Sequence, residues 1–169
     1  MDRMVRSGIG YDVHRLEAGD GLRPLILGGV VLEHPEGLIL RGHSDADVLC
    51  HAIADALLGA AGLPDIGHHF PDTDPSIRGI SSLEILSRVA VLLAGAEAVI
   101  VNVDSSLVAE APRIGPHVGT MRERIGAALG IPASRVGVKA TTNEGIGFPG
   151  RGEGIAALAT ASVVMPDKE

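Results

Sequence analysis

Apolar residues recur along the chain with two spacings. Some runs are apolar at alternate positions or throughout, which predicts strands, and others are apolar every third or fourth residue, which predicts helices. The predicted strands cover residues 4–11, 98–109, 135–141 and 155–165. The predicted helices cover residues 44–58, 81–94 and 117–129. Two short apolar runs around Gly28 and Gly29 predict a β-hairpin.

The order of these elements predicts the fold class. Helices and strands alternate, which is typical of an α/β sandwich with one sheet covered by helices. The last predicted strand, Ile155–Met165, is apolar at both alternating sets of positions. We therefore expect helices on one of its faces and another subunit on the other. The 169 residues are enough for one domain, residues 1–169, with its own core.

The stretch from residue 43 to residue 75 concentrates polar side chains. Asp47, His51 and Asp55 recur every fourth residue in an otherwise apolar helix, so they share one face. Unpaired polar groups are costly inside a protein, which makes this stripe a candidate for chemistry. Ser44 followed by Asp47 is typical of a capping box, so we expect His43 and Ser44 at a helix N-terminus, where phosphate binds readily. Capping alone also explains the acidic residues.

Three further segments carry candidate ligand groups. Asp12 and His14 follow the first predicted strand on one side of it, where they can bind a metal ion or simply face solvent at a strand end. The Asp-rich loop 63–75 is either solvated or folded over a polyhydroxylated ligand. The Gly-rich loop 143–153 offers Glu144 to a metal and Arg151 to an anion. Arg113 can meet a phosphate or lie free on the surface.

Composition narrows the class of function. The formal charge is −7 and Lys and Arg form no run, which argues against a nucleic-acid partner. An anionic ligand would therefore need local cations, from Arg or from bound metal. Hydrophobic residues make up 46 % of the chain and aromatic residues 2 %, so we expect a core of small aliphatic side chains.

Compartment and thiol chemistry follow from a few positions. Cys50 is the only cysteine, which excludes an intrachain disulfide, and its place in an apolar helix predicts a buried, inert thiol. No signal peptide precedes Gly8, and the longest apolar run, Gly154–Met165, is too short to span a bilayer. We therefore expect a cytoplasmic protein with no membrane partner.

Four collinear motifs resemble those of one enzyme family. They are GIGYDVHRL, GHSDADVLCHAIADALLGAAGLPDIGHHFPDTDP, KATTNEGIGF and GRGEGIA. In this order and spacing they resemble the 2-C-methyl-D-erythritol 2,4-cyclodiphosphate synthases of the non-mevalonate isoprenoid pathway. The resemblance implies a lyase that acts on 4-diphosphocytidyl-2-C-methyl-D-erythritol 2-phosphate. The 2-phosphate attacks the β-phosphorus, the cyclic diphosphate closes, and CMP leaves.

The resemblance also implies an architecture. Each subunit is expected to be a ferredoxin-like α+β sandwich, with a mixed four-stranded sheet, helices on one face and a small hairpin. Three subunits are expected to form a homotrimer whose sheets face the three-fold axis. The active sites then lie at subunit interfaces.

Residue roles are implied position by position. Asp12, His14 and His51 correspond to the ligands of one Zn²⁺ per subunit, and Glu144 to a ligand of Mg²⁺ or Mn²⁺ on the diphosphate. The two residues that correspond to transition-state stabilisers are His43 and Thr142. The counterparts of substrate-binding residues are Asp12, His14, His43, Ser44, Asp65, Ile66, Gly67, Phe70, Pro71, Asp72, Thr73, Asp74, Ala109, Glu110, Ala111, Pro112, Arg113, Ile114, Gly115, Thr141, Thr142, Asn143, Glu144, Phe148 and Arg151.

Four positions depart from the family pattern. Ala46 stands where Gly is usual, which we expect a helix to tolerate, and Arg113 stands where Lys is common. Asn143 replaces a frequent Thr beside the second-metal residue. Pro149 replaces a frequent Thr close to Phe148 and Arg151, whose counterparts lie near a central cavity that binds an isoprenoid diphosphate in some members.

Two rival functions stay open. A non-catalytic trimer of the same fold would bind metal or nucleotide, and it predicts CDP binding without CMP release. The intact set of implied ligands and Thr142 argues against it. A metal-dependent hydrolase built on Asp12, His14 and His51 predicts turnover of simple phosphate esters instead.

Overall fold

The computed structural model of the chain describes residues 2–167. Seven strands and five helices lie within these residues. The strands are β1 (Arg3–Ala18), β2 (Leu25–Leu27), β3 (Val30–Leu32), β4 (Leu38–Leu40), β5 (Val99–Val108), β6 (Val136–Thr141) and β7 (Gly154–Pro166). The helices are α1 (Val48–Ala61), α2 (Ile66–His69), α3 (Ser82–Gly95), α4 (Val118–Leu129) and α5 (Gly147–Gly150).

One mixed sheet organises the fold. Its strand order is β4-β1-β7-β5-β6, and only β5 and β6 run parallel to each other. The α/β class and the mixed sheet are confirmed, with four long strands as predicted and the short β4 added at one edge. This fifth strand exists because β1 does not end at Tyr11 but continues to Ala18, where Leu16 pairs with Leu40. The predicted hairpin is confirmed as β2 and β3, with Leu27 paired to Val30.

Helix α1 lies directly on the backbone of β1. The even-numbered residues Gly8 and Gly10 face it, and a Cβ atom on either would collide with the backbone of Ala56 or Ala52. Pairing small residues on both elements allows this close approach. Eleven of the helix residues are buried, which makes α1 the centre of the core. The expected core of small aliphatic side chains is confirmed.

The opposite face of the sheet carries apolar side chains that this chain leaves exposed. Ile9 and Tyr11 alternate with the glycines and are 73 % and 54 % exposed. Leu158, in β7, pairs with Tyr11 of β1 and is also exposed. Within one chain the helices therefore bury only one face of β7, and the expected second cover is not part of this subunit.

Strand β5 departs from simple alternation. Alternation alone would put Val99, Val101 and Val103 on one side of β5, but the pairing shifts between Ile100 and Asn102. Such an irregularity moves the following side chains to the other face, so Val103 is buried while Val99 and Val101 are exposed.

Among residues 2–167, no helix has the length and apolar character needed to cross a membrane.

Candidate active site

Three side chains from two elements meet at one point. Asp12 and His14 lie on the helix-facing side of β1, and His51 lies in the first turn of α1. Their ligand atoms, Asp12 Oδ2, His14 Nε2 and His51 Nδ1, form a triangle with all three edges 3.1 Å long. A metal with bonds of about 2.0–2.1 Å in tetrahedral geometry needs edges of roughly 3.3 Å. The triangle therefore fits a divalent metal with one position left open.

The packing of α1 on β1 produces this cluster. Helix α1 touches the β1 backbone where Ala52 meets Gly10. His51 directly precedes Ala52, so its side chain reaches Asp12 and His14, which follow Gly10 on the same face of β1. Asp12 and His14 do not lie at a strand end in solvent. They sit inside β1, paired with Ala157 and Ile155, and their side chains are only 28 % and 19 % exposed. The solvent-exposed reading of this pair is therefore wrong.

The charges in the cluster stabilise one another. Burial alone would raise the pKa of Asp12, but hydrogen bonds from His14 and His51 outweigh it and lower this pKa to about 2. Burial would lower the pKa of His14, and its hydrogen bond and charge interaction with Asp12 raise it above 6.5 instead. The Asp12 carboxylate is thus ionised at neutral pH, as a metal ligand must be.

The predicted helix start was wrong, and Ala46 explains why. Its φ is +58°, in the left-handed region, so no helix can run through it. Asp47 is the N-cap instead, and its carboxylate accepts a hydrogen bond from the backbone N–H of Cys50. The usual glycine at this position therefore reflects a left-handed turn, and Ala46 is not a residue that a helix tolerates here. His43 and Ser44 precede the helix by several residues.

His43 and Ser44 still border the metal cluster. The Ser44 hydroxyl lies 3.1 Å from His51 Nε2, and the exposed His43 Nε2 lies 3.7 Å from Asp72 Oδ2. A cavity of about 180 Å³ opens beside them. It is lined by His14, His43, Ser44, His51, Ile66, Gly67, Phe70, Asp72, Ile77, Ile80 and Ile85. The cavity joins the metal ligands, the predicted phosphate residues and part of the Asp-rich loop.

The Asp-rich loop is ordered by its own carboxylates. Asp65 caps the one-turn helix α2 and Asp74 caps a short 3₁₀ turn. Asp55, from α1, accepts a hydrogen bond from the Ile66 N–H at 2.8 Å, which ties the loop to the helix that carries His51. Burial raises the pKa of Asp55 above its ordinary value. Asp72 remains exposed at the cavity. Pro71 and Thr73 lie in the same turn, beside Phe70.

The residues implied for cytidine and the second metal form a separate group. The backbone N–H of Ala109 donates to the Thr141 carbonyl, and Glu110 accepts from the N–H of Asn143 at 2.8 Å. These contacts join the loop after β5 to the loop after β6. Arg113 and Glu144 are exposed there. None of the residues 109–115 or 141–144 lines the cavity at the metal cluster.

Residues Phe148 and Arg151 lie in and after α5, a turn that the Gly-rich loop was not predicted to form. Arg151 is exposed and pairs with Glu153 at 2.7 Å. This pair raises the pKa of Arg151 and lowers that of Glu153. Neither residue lines the cavity at the metal cluster within this chain.

Sequence patterns did not identify Asp45 and Ser82 as neighbours of the metal cluster. Ser82 Oγ lies 2.9 Å from His51 Nε2, and Asp45 holds Ser82 through both its hydroxyl and its backbone N–H. Ser82 is separated from His51 by 31 positions. The sequence marks it only as the start of a helix, so no spacing signal could have placed it beside a metal ligand.

Comparison with known proteins covers almost the whole chain. The YgbB family model matches residues 5–164. A 2-C-methyl-D-erythritol 2,4-cyclodiphosphate synthase of Akkermansia muciniphila is 58 % identical over 161 residues, 95 % of this chain and 93 % of that protein. A synthase of the same name from Symbiobacterium thermophilum is 60 % identical over 156 residues, 92 % of this chain and 96 % of that protein.

A solved structure agrees with these relatives. The CDP complex of IspF from Plasmodium falciparum superposes with a TM-score of 0.81 at 31 % identity, covering 96 % of this chain and 97 % of that one. The fold, the metal cluster and the motifs thus point to one relationship. The chain belongs to the YgbB family of 2-C-methyl-D-erythritol 2,4-cyclodiphosphate synthases.

Proposed function

We propose that the protein converts 4-diphosphocytidyl-2-C-methyl-D-erythritol 2-phosphate to 2-C-methyl-D-erythritol 2,4-cyclodiphosphate and CMP. The observation that carries this proposal is the ligand triangle of Asp12, His14 and His51 at the edge of a cavity. Relatives at 58 % and 60 % identity bear the name of this enzyme, and the CDP complex of a neighbour fits a cytidine diphosphate substrate. We place the whole activity in one domain, residues 1–169.

Asp12, His14 and His51 would hold Zn²⁺, because two imidazoles and one carboxylate with an open position are typical of catalytic zinc. Bound there, the ion would act as a Lewis acid that withdraws charge from a phosphate oxygen. His43 is exposed beside Asp72 and can donate to a phosphate, and the Ser44 hydroxyl can do the same. These two residues would fix the phosphate end of the substrate over the cluster.

The reaction needs no protein nucleophile, because the 2-phosphate of the substrate attacks. The protein has to hold the two ends of the substrate together and offset the charge that develops. Asp65, Asp72 and the segment 70–74 would accept hydrogen bonds from the methylerythritol hydroxyls. Ile66, Gly67 and Phe70 would exclude water from the carbon chain at the cavity wall.

The cytidine half of the site would come from a neighbouring subunit. Residues 109–115 and 141–144 form a second surface that does not reach the cavity of their own chain. The exposed apolar strip of Ile9, Tyr11 and Leu158 on the sheet gives a surface for self-association. We infer a homotrimer packed through these sheets, in which Glu144 would hold Mg²⁺ or Mn²⁺ on the diphosphate. Thr142 would stabilise the developing charge on the same side.

The decisive experiment is incubation of the purified protein with the candidate substrate, with and without a chelator. We expect equal amounts of CMP and the cyclic diphosphate, and loss of both with the chelator. Binding of CDP without CMP release would favour a non-catalytic trimer. Hydrolysis of simple phosphate esters without the cyclic product would favour a metal-dependent hydrolase. The cytoplasmic location stays a prediction.

A further inference from the structure

The two ring nitrogens of His51 face different partners. Its Nδ1 lies 3.1 Å from both Asp12 Oδ2 and His14 Nε2, at the metal triangle. Its Nε2 points the other way, 2.9 Å from Ser82 Oγ. A neutral imidazole carries one hydrogen, so it can bind metal through Nδ1 only when that hydrogen is on Nε2. Without metal, the Asp12 carboxylate can accept this hydrogen at Nδ1, so an acceptor at Nε2 is needed to favour the ring form that binds metal.

The hydroxyl hydrogen of Ser82 is already used in a hydrogen bond to Asp45. Its hydroxyl donates to Asp45 Oδ1 in a short hydrogen bond, and its backbone N–H donates to Asp45 Oδ2 at 2.9 Å. The Asp45 carboxylate also accepts from the Asp47 N–H at 3.2 Å. An ionised carboxylate can only accept, so the Ser82 hydroxyl cannot turn its hydrogen toward His51. What Ser82 offers to His51 Nε2 is an oxygen lone pair.

We propose that Asp45 and Ser82 are positioning residues that provide an acceptor for hydrogen on His51 Nε2 and so favour the ring form that binds metal through Nδ1. Asp45 accepts from Ser82, Ser82 accepts from His51 Nε2–H, and His51 Nδ1 faces Asp12 and His14. The inference rests on the proposed role of the cluster as a metal site. It adds two residues that touch neither the metal nor the substrate.

Ser44 cannot do the same work. Its hydroxyl also lies 3.1 Å from His51 Nε2, and it accepts from the Ala46 N–H at 3.1 Å. Its own hydrogen is not committed to a carboxylate, so it can serve either as donor or as acceptor toward His51. The Ser44 hydroxyl thus stays available to a phosphate, and the orientation of His51 depends on Ser82.

A purely structural role has to be separated from this one. Ser82 is fully buried in the first turn of α3, and Asp45 also favours the positive end of that helix. Ser82→Ala would therefore lower stability even without any effect on His51. Ser81→Ala is the matched control, because Ser81 caps the same helix through the Leu83 N–H but does not touch His51.

The first measurement is nitrogen NMR of the His51 ring in the metal-free protein at about pH 9, where imidazoles are neutral. Asp12 competes for the hydrogen at Nδ1, so we expect the two nitrogens of the wild-type ring to share it. Ser82→Ala removes the acceptor at Nε2 and should raise the Nδ1–H share, whereas Ser81→Ala should leave it unchanged. An unchanged share in Ser82→Ala would overturn the proposal.

The second measurement is metal affinity, by competition of Zn²⁺ and Co²⁺ with a chromophoric chelator. We expect Ser82→Ala, by removing the acceptor at Nε2, to weaken metal binding about 10- to 100-fold. Ser81→Ala should keep wild-type affinity. Asp45→Asn replaces one acceptor oxygen with an N–H₂ group, which faces the Asp47 N–H, the Ser82 N–H and the Ser82 hydroxyl. The Ser82 hydroxyl can then donate to His51 Nε2, so this variant should shift the ring toward Nδ1–H.

The outcomes separate this inference from the function it rests on. Variants Ser82→Ala and Asp45→Asn that keep the wild-type ring form and metal affinity would overturn the positioning role. A protein whose His51 ring form depends on Ser82 yet binds neither Zn²⁺ nor Co²⁺ would contradict the proposed metal function and still support the hydrogen-bond chain.

Discussion

A Cβ atom on Gly10 would lie 1.9 Å from the carbonyl oxygen of Ala52. No real side chain tolerates such a distance, so this glycine sets how closely α1 approaches β1. Ala52 follows His51 directly, and Gly10 lies two residues before Asp12 on the same strand face. The packing distance between two small residues therefore fixes the distance between two metal ligands.

Gly10→Ala should damage the fold and the metal cluster together. The methyl group meets backbone atoms that cannot rotate away, so α1 has to shift, and we expect a loss of about 3 kcal/mol in the free energy of unfolding. Denaturant unfolding and Zn²⁺ affinity measure the two effects. Gly119→Ala is the control, because no atom lies within 4 Å of its added Cβ and alanine favours a helix by about 0.5–1 kcal/mol. Unchanged Zn²⁺ affinity in Gly10→Ala would refute the link.

His51→Ala should remove one corner of the ligand triangle. Two remaining ligands hold Zn²⁺ weakly, so we expect metal stoichiometry near zero and turnover lower by at least about a hundredfold. Metal content after dialysis and CMP release check the two. His34→Ala serves as control, since His34 lies outside the cavity lining. Full Zn²⁺ stoichiometry in His51→Ala would refute the ligand assignment.

The metal affinity of the cluster should still rise with pH above the ordinary pKa of histidine. Asp12 holds the pKa of His14 above 6.5, and a metal can bind this imidazole only after its proton leaves. Affinity should therefore rise with pH, by about tenfold per unit while His14 is protonated, and level off only above pH 6.5. Competition titrations between about pH 5.5 and pH 8.5 test this. A constant affinity across that range would contradict the expected proton competition.

Glu144→Gln should act on the proposed second metal and spare the first. Glu144 is exposed, in the loop that follows β6, so its side chain is open to solvent. We expect turnover to fall about tenfold or more and to lose its dependence on added Mg²⁺ or Mn²⁺, with Zn²⁺ content unchanged. Glu123→Gln, an exposed change on α4, provides the comparison. Wild-type response to both ions would rule out the second-metal role.

Ile9→Glu should dissociate the proposed trimer. Ile9 lies on the apolar face of the sheet, and a buried glutamate without a partner is strongly destabilising in an interface. Light scattering should show a shift from trimer to smaller species, and CMP release should be lost if a neighbouring subunit completes the site as proposed. Val31→Glu on the hairpin starts from a similarly exposed side chain, at 58 %, and should leave the trimer intact. A trimeric, active Ile9→Glu protein would place the interface elsewhere.

Local pattern was sufficient for most elements. Alternation and helical periodicity located β5, β6, β7 and the three long helices to within a few residues, but they ended β1 at Tyr11 although it runs to Ala18. They also put Asp12 and His14 on one face. The same reasoning failed at Ser44, because a capping box and a left-handed turn share their residue types. The positive φ of Ala46 depends on contacts from distant segments, among them the Asp45 N–H to the Ile80 carbonyl.

Local sequence patterns could not predict the contacts between distant segments. The hydrogen bonds of Asp45 and His51 with Ser82 require the packing of α1 on α3, which no periodicity encodes. The extension of β1 beyond Tyr11 likewise depends on pairing with β4, whose three residues are too few to predict. The resemblance named the residues implied for cytidine, but the structure was needed to find that they lie apart from the cavity of their own chain.

The buried Cys50 makes this protein convenient for spectroscopy. Its side chain is fully enclosed by α1 and its surroundings. Burial and, to a smaller extent, the nearby Asp47 charge raise the pKa of the thiol well above its usual value. Thiol reagents react with the exposed thiolate, so the native chain should stay unlabelled. A single cysteine introduced on the surface would therefore carry a fluorophore or spin label alone. Distances between subunits could then be measured without first removing a native residue.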